Sequence, residues 1–271
     1  MNTWARPIVA MVIIVGLGLT VISCTTVPLT GRSQLSLIPN SQLLATSAQQ
    51  YTTFLQGNKV SADAKGIALV SKVGNKIKSA VEAYMAQNNM SDRLAGYKWE
   101  FNLIESDQVN AWCMPGGKVV VYTGILPLTQ DENGLAVVLG HEIAHAIAEH
   151  GGERMSQALL VQLGGMGLQE AISSKPQQTQ ALWMTAFGVG AQYGAMLPFS
   201  RTQESEADHL GLIFMSMAGY DPNTALSFWQ RMAAKSGGSA PPEFLSDHPS
   251  DENRIAAIKQ EMPEAMKYYK K

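Results

Sequence analysis

His141, Glu142 and His145 sit in a run that is otherwise almost wholly apolar: Leu135, Ala136, Val137, Val138 and Leu139 before them, Ile143, Ala144, Ala146, Ile147 and Ala148 among and after them. A helix that is apolar on nearly every side is a buried central helix, so the rest of the chain has to be arranged around this segment. At 3.6 residues per turn the two histidines lie about 40° apart, and both imidazoles can reach one metal ion. Unpaired polar groups in such a helix are costly, and a bound cation resolves the conflict. Glu142 adjoins the pair, where it can hold a water on the metal. The chain has five histidines, His141, His145, His150, His209 and His248, all in its second half. With so few, a chance pairing at this spacing is disfavoured.

Zinc hydrolases use three protein ligands and leave one position for water. A metzincin would continue to glycine at position 148 and histidine at 151, but Ala148 and Gly151 stand there. If the helix runs on, His150 lies about 180° from His141, which makes it a surface group or one that orients a ligand. Downstream, Ser200-Arg201-Thr202-Gln203-Glu204-Ser205-Glu206-Ala207-Asp208 offers carboxylates. Glu204 and Asp208 are one turn apart and share a face with Ala207, Gly211 and Met215, small enough in part to let this helix approach the first closely. Glu204 is therefore the expected third ligand of a single zinc ion. Asp208 is expected to orient a ligand histidine through its ring N–H. Glu206, about 200° around, is the weaker candidate.

This set resembles metallopeptidase family forty-eight, the family of the HtpX heat-shock protease and the CAAX prenyl protease, within the gluzincins. The resemblance rests on His141-Glu142-Ile143-Ala144-His145 followed some sixty residues later by the Ser200–Asp208 motif. It extends to Asn110-Ala111 with Pro115-Gly116-Gly117, to Ala218-Gly219-Tyr220-Asp221-Pro222, and to His248-Pro249 with Arg254. Within the family it is nearest the soluble bacterial lipoprotein branch, since the several spans of the membrane members are lacking. The resemblance implies a zinc endopeptidase of α+β, mostly helical class, with a small sheet whose edge strand binds substrate. Glu142 is then the general base, and His248 and Arg254 are candidates to stabilise the oxyanion. His248 could instead be a reversible fourth zinc ligand; both residues could also be merely structural, His248 capping a turn and Arg254 in an ion pair. An extended substrate would add to the strand at Asn110 and Ala111, reading main chain and favouring unfolded or misfolded proteins. Cys113 in that strand reads as a small packed residue. A chaperone-like outer-membrane assembly factor with a mainly structural zinc site is the rival reading, and the intact Glu142 argues against it.

Around this centre the chain of 271 residues divides into an expected signal peptide (1–23), a tether (24–39) and a metallopeptidase domain (40–271). Arg6 followed by apolar Ile8 to Val21 reads as a signal h-region, and Ser23-Cys24 resembles the bacterial lipobox. That implies lipidation at Cys24 and, with Thr25 rather than aspartate next, anchorage in the outer membrane of a Gram-negative cell, facing the periplasm and in reach of its assembly machinery. With only Cys24 and Cys113, a disulfide framework or thiolate zinc cluster is excluded. A net charge of −2 gives no footprint for nucleic acid.

The remaining pattern predicts helices from Asn40 or Ser41 to Gln56, from Ser61 to Gln87 with Ile67, Val70, Val73, Ile77, Val81 and Tyr84 inward, from Asp131 onward, after Asp221-Pro222, and from a Ser250 cap to Tyr268. Strands are expected from Trp99 to Leu103, Val109 to Cys113 and Lys118 to Tyr122, the last two joined by a turn at Met114–Gly117. Pro176 to Ser200 carries no charge in 25 residues. Its glutamines, glycines and Pro198 favour a buried or lipid-grazing helix over a membrane span.

Overall fold

The computed structural model describes residues 24–27, 30–192, 197–235, 244, 248 and 252–270. The expected signal peptide, the Ser250 cap and Pro249 lie outside the described residues. The architecture is α+β and mostly helical, as expected.

The first elements are short strands β1 (Cys24–Thr26) and β2 (Ser33–Leu35), paired antiparallel with Cys24 opposite Leu35. The stretch expected as a tether is thus built into the fold, because Gln34 turns inward and Arg32 finds carboxylate partners in the domain. Helix α1 (Asn40–Gly57) starts where predicted, but neither Asn40 nor Ser41 caps it by a side chain. Pro39 stands before it, and its carbonyl accepts from the N–H groups of Gln42 and Leu43. Helix α2 (Ala64–Gln87) is capped by Asp63, whose carboxylate accepts from the Lys65 N–H at 3.0 Å. Its inner face is Val70, Val73, Ile77, Val81 and Tyr84; Ile67, expected with them, is exposed, because it lies near the helix start beyond the core.

The sheet has the order β3-β5-β4, with β3 (Glu100–Ile104), β4 (Ala111–Met114) and β5 (Lys118–Tyr122). β5 is central and buried throughout, which explains its unbroken apolar core of three valines. β3 pairs with it in parallel and β4 in antiparallel register, Ala111 opposite Val121. β4 is therefore an edge strand. The β4–β5 turn needs left-handed backbone at Gly116 (φ 87°) and Gly117 (φ 78°), and a Cβ at Gly117 would stand 2.6 Å from the Trp99 ring.

After the short helix α3 (Leu126–Thr129), α4 (Glu132–Ile147) runs through the middle of the molecule. Asp131 caps it by accepting from the Gly134 N–H at 2.9 Å. Every residue from Gly134 to Ile147 is buried. α2, β4, α7 (Leu197–Met217) and α8 (Thr224–Lys235) surround it, and α9 (Glu252–Tyr268) packs on α7 and α8. Asp221 opens α8 by accepting from the Asn223 N–H, close to its expected capping role.

Two further helices, α5 (His150–Ala171) and α6 (Gln177–Ala191), pack on each other and stand away from this core. α6, the described start of the charge-free stretch after Pro176, is exposed rather than buried: Leu182 is 70% and Trp183 55% exposed, and among the described elements α6 packs chiefly on α5. No described helix is long and apolar enough to cross a membrane.

Candidate metal centre

α4 and α7 bring the chemistry together. The face of α7 that carries Glu204, Ala207, Asp208 and Gly211 lies on α4, and the two backbones touch where Gly211 meets Gly140. A Cβ added at Gly140 would stand 2.8 Å from the Gly211 carbonyl oxygen. This approach places Glu204 against both histidines: His141 Nε2 lies 3.3 Å from Glu204 Oε2, and His145 Nε2 lies 3.3 Å from Glu204 Oε1. His248 completes the group, with Nδ1 3.0 Å from Glu204 Oε2 and 3.1 Å from His141 Nε2. One donor atom from each of these four buried residues lies within 4.8 Å of all the others.

The ring protons can be assigned from the partners. Asp208 Oδ1, an acceptor, lies 2.9 Å from His141 Nδ1, so His141 donates from Nδ1. His150 Nε2 lies 2.8 Å from Glu206 Oε2 and donates there, which leaves its Nδ1 as an acceptor 2.9 Å from His145 Nδ1. His145 therefore also donates from Nδ1. Both Nε2 atoms are then bare lone pairs facing each other at 3.0 Å beside a carboxylate. Such a convergence of acceptors in a buried site fits a divalent cation. The expected ligands His141, His145 and Glu204 are thus brought together with the proposed fourth donor, His248.

Glu142 points to the same space. Burial pushes its carboxyl up to about 7, with His248 opposing and Glu204 adding to the rise. Its Oε1 is 3.3 Å from His248 Nε2 but has no hydrogen-bond partner. Burial also works against the charge on Glu204, yet the His141, His145 and His248 rings gathered around it hold it far below the usual carboxylate range.

Arg254 lies under the site. It donates to Asp208 from Nε at 2.7 Å and from Nη2 at 2.8 Å, and Nη1 is 3.4 Å from Glu204. Its guanidinium stacks 3.6 Å over Trp229. Asn110 and Ala111 are buried at the start of edge strand β4, the Ala111 N–H bonded to the Asn110 side chain. Just before them, the Val109 carbonyl accepts from the Phe244 N–H at 3.0 Å.

Residues that the sequence left without a role stand behind His145. α4 does not continue through His150: Glu149 takes left-handed backbone (φ 58°), an unusual state for a side chain of this kind, and restarts the chain as α5. His150 thereby folds back on His145 instead of pointing to the surface. Glu206, the weaker ligand candidate, pairs with His150 and with Arg32. Glu153 takes the other side of the Arg32 fork. The spacing of Glu206 two residues after Glu204 was a signal; nothing local marks Arg32.

These carboxylates make stability sensitive to acid. Burial raises the pKa of Glu153 and Glu206, but hydrogen bonds from Arg32, Gln203 and His150 overcome it, and both end below their ordinary values. A depressed carboxyl contributes stability above its unfolded pKa and loses it as pH falls toward the folded one. The melting temperature should therefore decline as pH drops below about 4.5, and Arg32→Ala should flatten that decline in a thermal-denaturation series.

Comparison with known proteins places the chain. The description Peptidase family M48 matches residues 30–262, starting inside the stretch expected as a tether. The chain is 38% identical over 191 residues to the mitochondrial metalloendopeptidase OMA1 of Schizosaccharomyces pombe, covering 70% of this chain and 53% of that protein. It is 32% identical over 251 residues to the mitochondrial metalloendopeptidase OMA1 of Bos taurus, covering 89% and 46%. The Beta-barrel assembly-enhancing protease of Yersinia pestis is 33% identical over 163 residues, covering 58% and 33%. The chain spans about half the length or less of these relatives. The mitochondrial relatives in fungi, plants and animals overturn the expected placement as a lipid-anchored protein of a bacterial outer membrane. An apolar run followed by Ser23-Cys24 is too short a pattern to specify a compartment, and Cys24 itself is paired in β1. The bacterial assembly-enhancing relatives match a shorter part of the chain, so the lipoprotein branch is not singled out. Family and site agree with the reading of the two motifs: the chain belongs to peptidase family M48.

Proposed function

We propose that the chain is a zinc-dependent endopeptidase that cuts unfolded or unassembled proteins as a quality-control protease, envelope proteins among its substrates. The observation that carries this reading is a buried donor set beside a buried carboxylate, Glu142, that the ligand set does not use. His141, His145 and Glu204 would hold the ion. Zinc, when bound, supplies a Lewis acid that acidifies water and polarises a peptide carbonyl. Glu142 takes the proton of the attacking water and returns it to the leaving amine, and a carboxyl pushed up toward neutrality suits both transfers. Asp208 holds His141 in the tautomer that leaves Nε2 free to ligate. Arg254 fixes Asp208 and faces Glu204, so its proposed share is to position the ligands. His248 lies between Glu204 and Glu142, where it would serve either as a reversible fourth donor to the ion or as a group that stabilises the oxyanion. An extended substrate segment adds alongside edge strand β4 at Asn110 and Ala111. The names of the relatives, metalloendopeptidases and an assembly-enhancing protease, support both the reaction and the substrate class.

Casein and an unfolded β-barrel protein are suitable first substrates. Cleavage that a chelator stops and zinc restores is expected, with products from many sites because recognition is of main chain. A wild type that binds one zinc ion yet cuts neither substrate, and stays inactive as His248→Ala, overturns the reading.

A further inference from the structure

Behind His145 an unbroken chain of polar groups leaves the metal site and ends on the N-terminal segment. His145 Nδ1–H donates to His150 Nδ1, and His150 Nε2–H donates to Glu206 Oε2. Glu206 in turn accepts from Arg32 Nε at 2.9 Å and, through its other oxygen, from the Thr30 hydroxyl. Arg32 is held in place by a two-pronged bond to Glu153, at 2.9 and 2.8 Å, and Gln203 fastens Glu153 from the far side at 2.7 Å. The sequence separations, 174 residues from Arg32 to Glu206 and 121 from Arg32 to Glu153, make this a link between the chain's beginning and its centre.

The direction of every proton in this chain is determined. Glu206 is an acceptor for both Arg32 and Thr30, so His150 has to be the donor at Nε2 and the acceptor at Nδ1. His150 is fully buried, and among the described residues its ring nitrogens have no other hydrogen-bond partner. His145 then has one orientation and one tautomer open to it, the one that turns Nε2 to the metal site. The opposite ligand, His141, receives the same treatment from Asp208, but Asp208 lies on α7 beside Glu204 and is part of the core. The support for His145 is different in kind, since its last member sits on a two-stranded flap.

We propose that Thr30–Arg32 is a strap that positions the metal ligand His145 through Glu206 and His150, so that the hold on zinc depends on how the N-terminal segment is seated. The inference rests on the reading of His145 as a zinc ligand. The strap is held in shape by the β1–β2 pair and joined to the fold by the Leu37 N–H, which donates to Ser156 in α5 at 3.0 Å, and by the Thr26 carbonyl, which accepts from Arg93 at 2.9 Å. Its guanidinium is partly open to solvent, at 20% exposure, while the two carboxylates it joins are buried. Withdrawing the strap would leave Glu153 and Glu206 as buried anions without their cation, and Glu206 free to turn from His150. The strap residues are positioning residues; none reaches the reacting space.

Zinc affinity, measured by competition with a chromophoric chelator, tests the proposal without reference to proteolysis. Groups that orient a metal's histidine ligands contribute about 10- to 100-fold in affinity. His150→Phe, which keeps a ring but no acceptor, should weaken zinc by about that much, and Arg32→Ala by about tenfold. The d–d spectrum of the cobalt-substituted protein should shift in both, as a ligand is re-aimed. In the His150→Phe background, Arg32→Ala should change affinity by less than about twofold, because the route to His145 is already cut. Should Arg32→Ala not fold, Arg32→Lys keeps the charge but cannot span Glu206 and Glu153 together, and the folded variant should still lose affinity. Wild-type affinity and spectrum in His150→Phe and in the folded Arg32 variant overturn the proposal, as do two losses that simply multiply. A wild type that takes up no zinc removes the metal site itself, and the proposal with it.

Discussion

Glu142→Gln is expected to lower the rate of peptide hydrolysis by about 10²- to 10⁴-fold, the usual contribution of a positioned base, while the protein still binds one zinc ion. The two side chains are nearly isosteric, so the pocket between His248 and the ligand set keeps its shape. What is lost is the ability to take a proton from water. A second consequence separates this residue from its neighbours. The Glu142 carboxyl is pushed up by burial to about 7, above its unfolded value, so its charge opposes folding where the other site carboxylates favour it. A raised carboxyl leaves stability untouched below its unfolded pKa and subtracts from it increasingly as pH rises to the folded value. In the metal-free protein, Glu142→Gln should therefore be more stable than wild type at pH 8, by up to about 3 kcal/mol, and equal to it below about pH 4. An inactive but more stable variant is the signature of a base kept at the expense of the fold. A variant that retains most of the activity, or loses its zinc, would remove Glu142 from the role of base.

The parts of this site that were legible in the sequence are those whose pattern is local. An apolar run interrupted only by His141, Glu142 and His145 announces a central helix because nothing else tolerates such a composition. Glu204 and Asp208, one turn apart beside Ala207 and Gly211, announce a face that can come close to another helix. The turn at Met114–Gly117 needed only two glycines. His150, expected either at the surface or orienting a ligand, does the latter; the choice stayed open in the sequence because a left-handed residue that is not glycine, here Glu149, leaves no mark in composition. Arg32 was invisible for a different reason: its partners are set by tertiary structure, and a lone arginine in a segment with proline and glycine reads as a solvated linker. The charge-free stretch after Pro176 was expected as a buried or lipid-grazing helix; the buried alternative fails for α6 because a helix becomes buried only if the fold supplies a second face, and among the described elements α6 packs chiefly on α5. The parallel pairing of β3 with β5 was likewise beyond reach, since strand pattern does not encode the direction of a neighbour.

Close packing of α4 on α7 is what converts two local motifs into one site, and it can be tested at a single atom. In an exposed helix interior, glycine to alanine adds about 0.5–1 kcal/mol of stability, because glycine loses more backbone entropy on folding. Gly167 of α5 meets nothing within 4 Å of its would-be Cβ, so Gly167→Ala should show that gain. Gly211→Ala should show the reverse. Its Cβ would stand 2.9 Å from both the Gly140 carbonyl carbon and the His141 nitrogen, and main chain cannot step aside as a flexible side chain would. The helices have to part, at a cost of about 1–3 kcal/mol, the range seen for overpacked cores. His141 is one of the atoms' own residues at this contact, and Glu204 lies two turns along α7 from it, so a displacement here moves two donors relative to each other. Zinc affinity should fall together with stability in Gly211→Ala, and Gly140→Ala, whose Cβ would meet the Gly211 carbonyl, should behave alike. Thermal denaturation of the three variants in the metal-free state, with chelator competition on the same samples, makes the comparison direct. If Gly211→Ala gains stability as Gly167→Ala does, the glycine contact is not what brings Glu204 to the histidines, and the approach of the two helices must be set by Ala207 and the apolar residues beyond Leu210 instead.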